Sequence, residues 1–258
     1  MPDRISQPRE RTSFKPFHRL PSRGLLSGSG GEARDTRSRP AKLRALHSSA
    51  ALAINVFDYW ALHDPVPLQL ALNLAAPVSG IQFEAAFRTG LGGTPPHVDV
   101  VVRTGGATGV AIESKFTEWL RVARRGTAPF ANSYFPAGPG LWRARGLPAC
   151  QMLAEAVQRG DFAPEHLDVA QLLKHALGLR AESAGKLRLL YLYFDLKGPE
   201  GVQHRREIEA VRAQADPELA LECLTYQELF ARIARAAGPA HAAYLGYLRN
   251  RYFPHAAG

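Results

Sequence analysis

The sequence predicts a single α/β domain, with a central mixed β-sheet flanked by helices. Short β-branched segments alternate along the chain with longer segments that have helical apolar spacing. Two of the predicted strands follow each other closely enough to form a hairpin, and the chain contains no internal repeat. With 258 residues, of which 46% are hydrophobic, the chain is long enough to bury one sizeable core.

Two helices are predicted before the hairpin. Ser48 or Ser49 is placed to cap a helix over residues 50–57, because a Ser side chain accepts from the free N–H groups of a first helical turn. A second helix is predicted over residues 80–88, followed by a loop in which glycines and prolines break regular structure.

Strands and helices also alternate in the second half of the chain. A Pro/Gly/aromatic-rich connection over residues 126–146 has the length of a functional or covering loop. Helices are predicted next over residues 149–159 and 167–177, the second ended by Gly178. The remaining predicted elements are strands over 187–195 and 220–224, and helices over 203–214 and from 226 and 240 onward.

The positive charge is concentrated at the start of the chain. The net charge is +9, and residues 1–45 alone contain 11 basic and four acidic residues, a net charge of +7. Their Gly/Ser run and lack of apolar periodicity predict a disordered basic tail, which leaves residues 46–258 as the folded domain. The tail has the composition of an electrostatic arm for nucleic acid. A solvated leader, a mis-assigned start codon and a transit peptide are the alternatives.

Composition excludes several other classes. The chain has two cysteines, Cys150 and Cys223, too few and too far apart for a disulfide framework or a thiolate zinc site. Their scarcity suits a reducing cytosol or a protein with no redox-dependent feature, and we expect a cytoplasmic protein. The longest uncharged stretch, residues 65–83, is interrupted by prolines and polar residues, so no membrane span is expected.

Three charged residues of the hairpin form the candidate chemical site. Strands are predicted over residues 97–103 and 109–116, and side-chain alternation puts Glu113 and Lys115 on one face. Asp99 lies among four valines, where a carboxylate needs a metal ion or a paired cation. If the register brings Asp99 beside Glu113, a divalent cation or the Lys115 ammonium is needed to keep both ionised. Oxygen ligands favour Mg²⁺ or Mn²⁺.

This pattern resembles a known family. Asp99, thirteen intervening residues and then Glu113-Ser114-Lys115 resemble the motif of the PD-(D/E)XK phosphodiesterase superfamily, which has the restriction-endonuclease-like fold. The resemblance covers about residues 50–235. The sequence departs from the family's pattern at Val98, where proline would precede the first acid.

The resemblance implies a role for each motif residue. Asp99, Glu113 and the backbone carbonyl of Ser114 would hold a Mg²⁺ ion that polarises the phosphate and lowers the pKa of a water. Lys115 would orient that water and stabilise the charge that develops in the transition state. Glu84, on the helix that the family carries before its β-meander, would support this metal or a second one.

A helix after the motif is expected to complete the site. Gln171, Lys174 and His175 are predicted to share one helical face and to contact the nucleic-acid backbone. His175 has an equal alternative as a hydrogen-bonded core histidine. Aromatic residues of the preceding loop, such as Tyr134 and Trp142, either stack on bases or pin the loop to the domain.

The sequence therefore predicts a metal-dependent nuclease, with DNA as the expected substrate. RNA and branched DNA remain open, because they would change the surface around the site and leave the motif unchanged. The resemblance also implies that two copies could pair as a homodimer to cut both strands. The alternative is a catalytically inactive nucleic-acid-binding or scaffold domain, in which Asp99, Glu113 and Lys115 form a structural ion network.

Overall fold

A computed structural model describes residues 48–121, 128–182 and 188–253. Five strands form one sheet in the order β1-β2-β3-β4-β5. The first three pair antiparallel, and the last two join in parallel, so the predicted mixed sheet is confirmed. The predicted tail over residues 1–45 lies outside the described residues. The strands are β1 (Val78–Ala86), β2 (His97–Thr104), β3 (Ala107–Lys115), β4 (Leu189–Tyr193) and β5 (Leu221–Thr225).

Helices cover both faces of the sheet. One apolar core lies between the sheet and α3, α4 and α5, and a second lies between the other face and α1, α2, α6 and α7. The cap predicted at Ser48 is present, since its side chain accepts from the Ala51 N–H at 3.2 Å. The helices are α1 (Ser49–Phe57), α2 (Val66–Ala71), α3 (Pro148–Arg159), α4 (Val169–Glu182), α5 (Pro199–Ala215), α6 (Tyr226–Ala236) and α7 (Ala242–Tyr252).

The two covered faces explain the valine-rich hairpin. In β2, Val101 packs in the core beneath α3 to α5, whereas Val100 and Val102 pack in the opposite core. Both sets are fully buried, so the strand is apolar at successive positions instead of alternating with polar ones. Because side chains alternate, Asp99 and Glu113 lie on the same face as Val101, which is the face covered by α4.

The prediction of a helix over residues 80–88 was wrong. This segment forms the edge strand β1, which pairs with β2 from Val78 to Ala86. Its apolar residues Ile81, Phe83 and Ala85 recur every second position, which is the period of a strand. Glu84 therefore lies on a strand and not on the helix expected before the hairpin.

The predicted end of α4 at Gly178 was also wrong, because the helix continues to Glu182. A Cβ atom at Gly178 would lie 2.6 Å from the Phe87 carbonyl oxygen. Glycine at this position allows the helix to approach the backbone that follows β1. None of the helices in the described ranges is both long and apolar enough to cross a bilayer.

Candidate active site

The site lies where β2 and β3 separate. The last pair in their ladder is Val100 with Ile112, and the same register places Asp99 opposite Glu113. Beyond that point the Ser114 N–H donates to Asp99 Oδ2 at 2.7 Å. A side-chain carboxylate thus takes the place that a backbone carbonyl would have in a continuing ladder.

Glu113 is an ionised carboxylate inside the protein. Its side chain is 1% exposed, with the Lys115 ammonium 2.6 Å from Oε1 and His175 Nε2 2.8 Å from Oε2. Burial acts to raise the pKa of Glu113, but Lys115 and His175 outweigh it and lower the pKa to about 2. Both oxygens of this carboxylate therefore already have a nitrogen partner, Lys115 at Oε1 and His175 at Oε2.

Asp99 has the opposite electrostatic environment. Burial and the charge of Glu113 raise its pKa well above the usual value for an aspartate, and Glu84 adds to the shift. Lys115 and the Ser114 N–H act in the other direction but do not reverse it. At Asp99, burial and the neighbouring carboxylates therefore outweigh the Lys115 ammonium.

Lys115 is held as a cation that reaches the surface. Burial acts to lower its pKa, but Glu113 and Asp99 outweigh this effect and raise it. Its ammonium also donates to Gln171 Oε1 at 2.9 Å, and its side chain is 18% exposed. The structure therefore fixes a positive charge at the rim of the carboxylate pair.

Glu84 approaches this group from β1. The register places it opposite Asp99, between the pairs Phe83–Val100 and Ala85–Val98. Its φ of 51° lies in the left-handed region, which is uncommon for a residue other than glycine. The structure thus brings Glu84 near Asp99 from a strand. Its role as a metal support stays a prediction.

The three residues predicted on α4 have different surroundings. Gln171 accepts from Lys115 and His175 contacts Glu113, so both lie at the motif. His175 is 1% exposed, so it is a hydrogen-bonded core histidine, which is the alternative given in the sequence analysis. Lys174 instead donates to the Pro129 carbonyl at 2.9 Å and lies over the Phe130 ring. Contact between these three residues and nucleic acid stays a prediction.

Sequence reasoning missed one contact of the motif. The Ser114 hydroxyl is 2.6 Å from the Tyr226 hydroxyl, buried on the other face of β3. Tyr226 is the first residue of α6, and 112 positions separate it from Ser114. No local pattern signals this pair, because only the packing of α6 on the sheet brings the two residues together.

The aromatic residues before α3 pin their loop to the domain. Trp142 is fully buried, and its Nε1 donates to the Leu173 carbonyl of α4 at 2.9 Å. Phe130 is 1% exposed and contacts the same indole edge to face. The loop therefore braces α4, the helix that carries Gln171 and His175.

The donor set is small for a metal site made of side chains alone. Within the three described ranges, no group of three or more His, Cys, Asp or Glu side chains could hold a metal ion. The site predicted from the sequence uses two carboxylates, Asp99 and Glu113, with the Ser114 carbonyl as its third ligand. Carboxylate and carbonyl oxygens are the ligand types that a hard divalent cation prefers.

The mixed sheet and the Asp-Glu-Lys group on its central hairpin define a restriction-endonuclease-like protein. The chain matches the family described as restriction endonuclease associating with ARP over residues 29–253. It belongs to that family, which indicates a nuclease with a nucleic-acid substrate. The match begins inside the predicted tail. No curated protein and no solved structure matches the chain.

Proposed function

We propose that the protein is a metal-dependent DNA endonuclease that hydrolyses phosphodiester bonds by attack of water. The observation that supports this proposal most is the pair formed by half-buried Asp99 and buried Glu113, with the Lys115 ammonium 2.6 Å from Glu113. Phosphodiester hydrolysis requires positive charge on the phosphate oxygens and a positioned water. This group offers a cation site and a fixed ammonium at one place.

The cofactor that we propose is Mg²⁺ or Mn²⁺. Asp99, Glu113 and the Ser114 carbonyl would hold the ion. When bound, such an ion polarises the phosphate and makes a water more acidic. Its charge would also offset the repulsion between the two carboxylates, which raises the pKa of Asp99 in its absence.

The protein's own residues position and stabilise the reacting groups. The Lys115 ammonium would orient the attacking water and stabilise the negative charge that grows on the phosphate oxygens. Gln171 fixes the direction of that ammonium, because its side-chain oxygen accepts from Nζ at 2.9 Å. His175 fixes Glu113 from the opposite side of the carboxylate.

A binding domain without catalysis is the second candidate. The specific observation in its favour is that Lys115 already neutralises Glu113 at 2.6 Å, as in a structural ion network. Such a domain would bind nucleic acid but would show neither divalent-metal affinity nor cleavage. Homodimeric assembly and a cytoplasmic location are also part of the proposal.

Cleavage of plasmid DNA tests the nuclease directly. We expect the full chain to cut with Mg²⁺ or Mn²⁺ and not with EDTA, and Asp99→Asn and Lys115→Met to abolish cutting. Lys197→Met is the matched control, because Lys197 is an exposed lysine outside the motif. Calorimetric titration with Mg²⁺ separates the roles: Asp99→Asn should lose the ion, whereas Lys115→Met should keep it.

The outcome also separates the two candidates. Cutting that survives Asp99→Asn would contradict the assigned site. Failure to cut plasmid, single-stranded DNA or RNA with either metal, together with no Mg²⁺ affinity, would contradict the nuclease and favour the binding domain.

A further inference from the structure

The side chain of Ser114, the middle residue of the motif, has no part in the proposed chemistry. It lies on the face of β3 opposite Glu113 and Lys115, and it is fully buried. On that face Ile112 packs in the apolar core that includes α6. The hydroxyl of Ser114 therefore lies in apolar surroundings, where a polar group is costly unless it is hydrogen-bonded. The Tyr226 hydroxyl, 2.6 Å away, is its partner.

The backbone of Ser114 points toward the candidate site. On β3, the Ala111 N–H and the Lys115 carbonyl form hydrogen bonds on the side of β4. Successive strand residues direct their backbone groups to alternate sides within the sheet, so the N–H and the carbonyl of Ser114 point the other way, toward β2. The N–H reaches Asp99 Oδ2 at 2.7 Å. The carbonyl lies past the last pair of the β2–β3 ladder, where the proposed ion would bind.

Tyr226 is itself fixed at the start of α6. It is 1% exposed, and it follows directly after the N-cap residue Thr225. The Thr225 hydroxyl accepts from the Glu228 N–H at 3.1 Å, and the Glu228 carboxylate accepts from the Thr225 N–H at 3.2 Å. This capping box satisfies the first turn of the helix and fixes its start. The phenol is therefore a fixed anchor for Ser114.

Ser114 is held at two points. Its N–H is held by Asp99 at the end of the ladder, and its hydroxyl is held by Tyr226 on the far face of the sheet. Only one side-chain torsion separates the hydroxyl of a serine from its backbone. Fixing the hydroxyl oxygen therefore also limits rotation of the main chain, and with it the direction of the Ser114 carbonyl.

We propose that Tyr226 is a positioning residue of the candidate site. Through the Ser114 hydroxyl it holds the Ser114 backbone so that the N–H meets Asp99 and the carbonyl faces the ion. The inference rests on the proposed function, because that function makes the carbonyl a metal ligand. Tyr226 touches neither the ion nor the nucleic acid, and it acts through Ser114 from the opposite side of the sheet.

The competing role is packing alone, in which each hydroxyl only satisfies the other. The two roles differ when both hydroxyls are removed. Removing one partner of a buried hydrogen bond leaves the other unsatisfied, whereas replacing both with apolar groups is nearly neutral for stability. The double variant Ser114→Ala/Tyr226→Phe should therefore be more stable than Tyr226→Phe in urea unfolding. If the pair positions the backbone, this variant recovers stability but not the positioning.

Hydrogen exchange of the Ser114 amide, followed by NMR in EDTA, measures positioning without metal or cleavage. The Ile112 amide lies on the same strand inside the ladder, so the ratio of the two exchange rates corrects for a change in overall stability. We expect Tyr226→Phe to raise the Ser114 to Ile112 ratio about threefold to tenfold, the factor for loss of one hydrogen bond. The double variant should keep the raised ratio.

Tyr244→Phe is the matched control. Tyr244 is another buried tyrosine of the same apolar core, and its hydroxyl donates to the Val56 carbonyl at 2.7 Å. This bond has no link to the motif, so its loss should leave the exchange ratio at the wild-type value. Calorimetric titration gives a second readout. Mg²⁺ affinity should fall about threefold to tenfold in Tyr226→Phe and in the double variant, and should not change in Tyr244→Phe.

The outcomes separate positioning from packing. An unchanged exchange ratio in Tyr226→Phe would overturn the inference, as would a ratio that rises equally in Tyr244→Phe or returns to the wild-type value in the double variant. Mg²⁺ binding that is equally tight in the wild type and Tyr226→Phe would also overturn it. A raised ratio with weaker Mg²⁺ binding, confined to the variants that lack the Tyr226 hydroxyl, would support it. A wild-type chain that binds no Mg²⁺ would contradict the proposed function, and the exchange ratio in EDTA would still decide whether Tyr226 holds Ser114.

Discussion

At the scale of single residues, the two carboxylates of the site have opposite ionisation tendencies. Glu113 is paired with Lys115 and His175, whose effect overcomes its burial and lowers its pKa to about 2. The pKa of Asp99 is raised by its own burial and by the charge of Glu113. Two neighbouring carboxylates whose pKa values move apart are typical of functional sites. Without a cation, Asp99 therefore costs the folded chain stability.

Asp99→Asn should stabilise the metal-free protein. The amide removes the repulsion with Glu113 and keeps an oxygen that can accept from the Ser114 N–H. We expect the free energy of unfolding, measured in urea at pH 8, to be about 0.5–2 kcal/mol higher than that of the wild type, the usual range of a stabilising substitution. Added Mg²⁺ should stabilise the wild-type chain and have no effect on the variant.

The control for this substitution is Asp161→Asn. Asp161 forms an exposed ion pair with Arg159 at 2.7 Å. Exposed ion pairs contribute little to folding stability, so loss of this pair should change the free energy of unfolding by less than about 1 kcal/mol. A less stable Asp99→Asn chain that Mg²⁺ still stabilises would argue against the metal site.

His204 should make the fold sensitive to acid. Burial, with His166 and Arg205 nearby, lowers its pKa from the usual value to about 4. The unfolded chain therefore binds a proton on His204 between about pH 6.5 and pH 4 that the folded chain excludes, and stability falls as the pH falls through this window. Between pH 7 and pH 5, this residue lowers the free energy of unfolding by about 2 kcal/mol.

Urea unfolding at pH 7 and pH 5 measures this effect. His204→Gln keeps a polar group near the Tyr191 hydroxyl but does not titrate, so its stability should fall less than that of the wild type. Equal losses in the two chains would show that His204 is not excluded from protonation in the fold.

At the scale of elements, the sequence predicts where the three hairpin residues lie better than it predicts which residues contact them. Asp99, Glu113 and Lys115 lie on one hairpin, so local alternation was enough to put them on a common face. The contacts of His175 and Tyr226 with this group depend on helices that pack from distant parts of the chain. Local spacing could favour a helix for α4 but could not assign its partners.

The edge strand β1 shows a second limit of local reasoning. Residues 80–88 were predicted to be helical although Ile81, Phe83 and Ala85 alternate with polar residues. Their hydrogen bonds with β2 stabilise the strand, and this pairing is a tertiary contact. Glu84 reaches Asp99 through the same pairing, so its neighbourhood could not be derived from the helix that was predicted.

Gly178 tests the close packing of α4 against the end of β1. In Gly178→Ala, the new Cβ would lie 2.6 Å from the Phe87 carbonyl oxygen, so the helix must shift. We expect a loss of about 1–3 kcal/mol in urea unfolding, typical of an overpacked core. Cleavage should fall as well, because the same helix carries Gln171 and His175.

Gly246 is the matched control, since it is also a helical glycine. No atom of the described residues lies within 4 Å of a Cβ built there, apart from its own helix and chain neighbours. Gly246→Ala should therefore stabilise the protein by about 0.5–1 kcal/mol through helix propensity. If both substitutions stabilise, the contact of Gly178 with Phe87 is not a close one in solution.

At the scale of the whole molecule, the sheet separates the face that carries the candidate site from the face that carries a second apolar core. The face that carries Asp99 and Glu113 is covered by α4, and a cavity begins where that cover ends at Lys115. The opposite face contains a second apolar core that includes α1 and α6. The second core therefore packs against the side of the sheet opposite the site. Most of the excess positive charge belongs to the first 45 residues.

The first 28 residues allow the role of this charge to be tested without cutting into the family match. They precede residue 29, where the match begins, and contain six basic and two acidic residues. Each phosphate that a basic residue neutralises contributes a slope of about −0.9 to the plot of log affinity against log salt. Deletion of residues 1–28 should weaken DNA binding at low salt and make this slope shallower by at least about one unit.

A second variant distinguishes charge from chain length. Replacing the six basic residues of this segment with Gln keeps its length and should reproduce the effect of the deletion, because phosphate neutralisation depends on charge. Urea unfolding of both variants should match that of the full chain, since the described fold begins at residue 48. A salt slope equal to that of the full chain in both variants would assign DNA binding to the folded domain. Residues 1–28 would then not contribute to DNA binding.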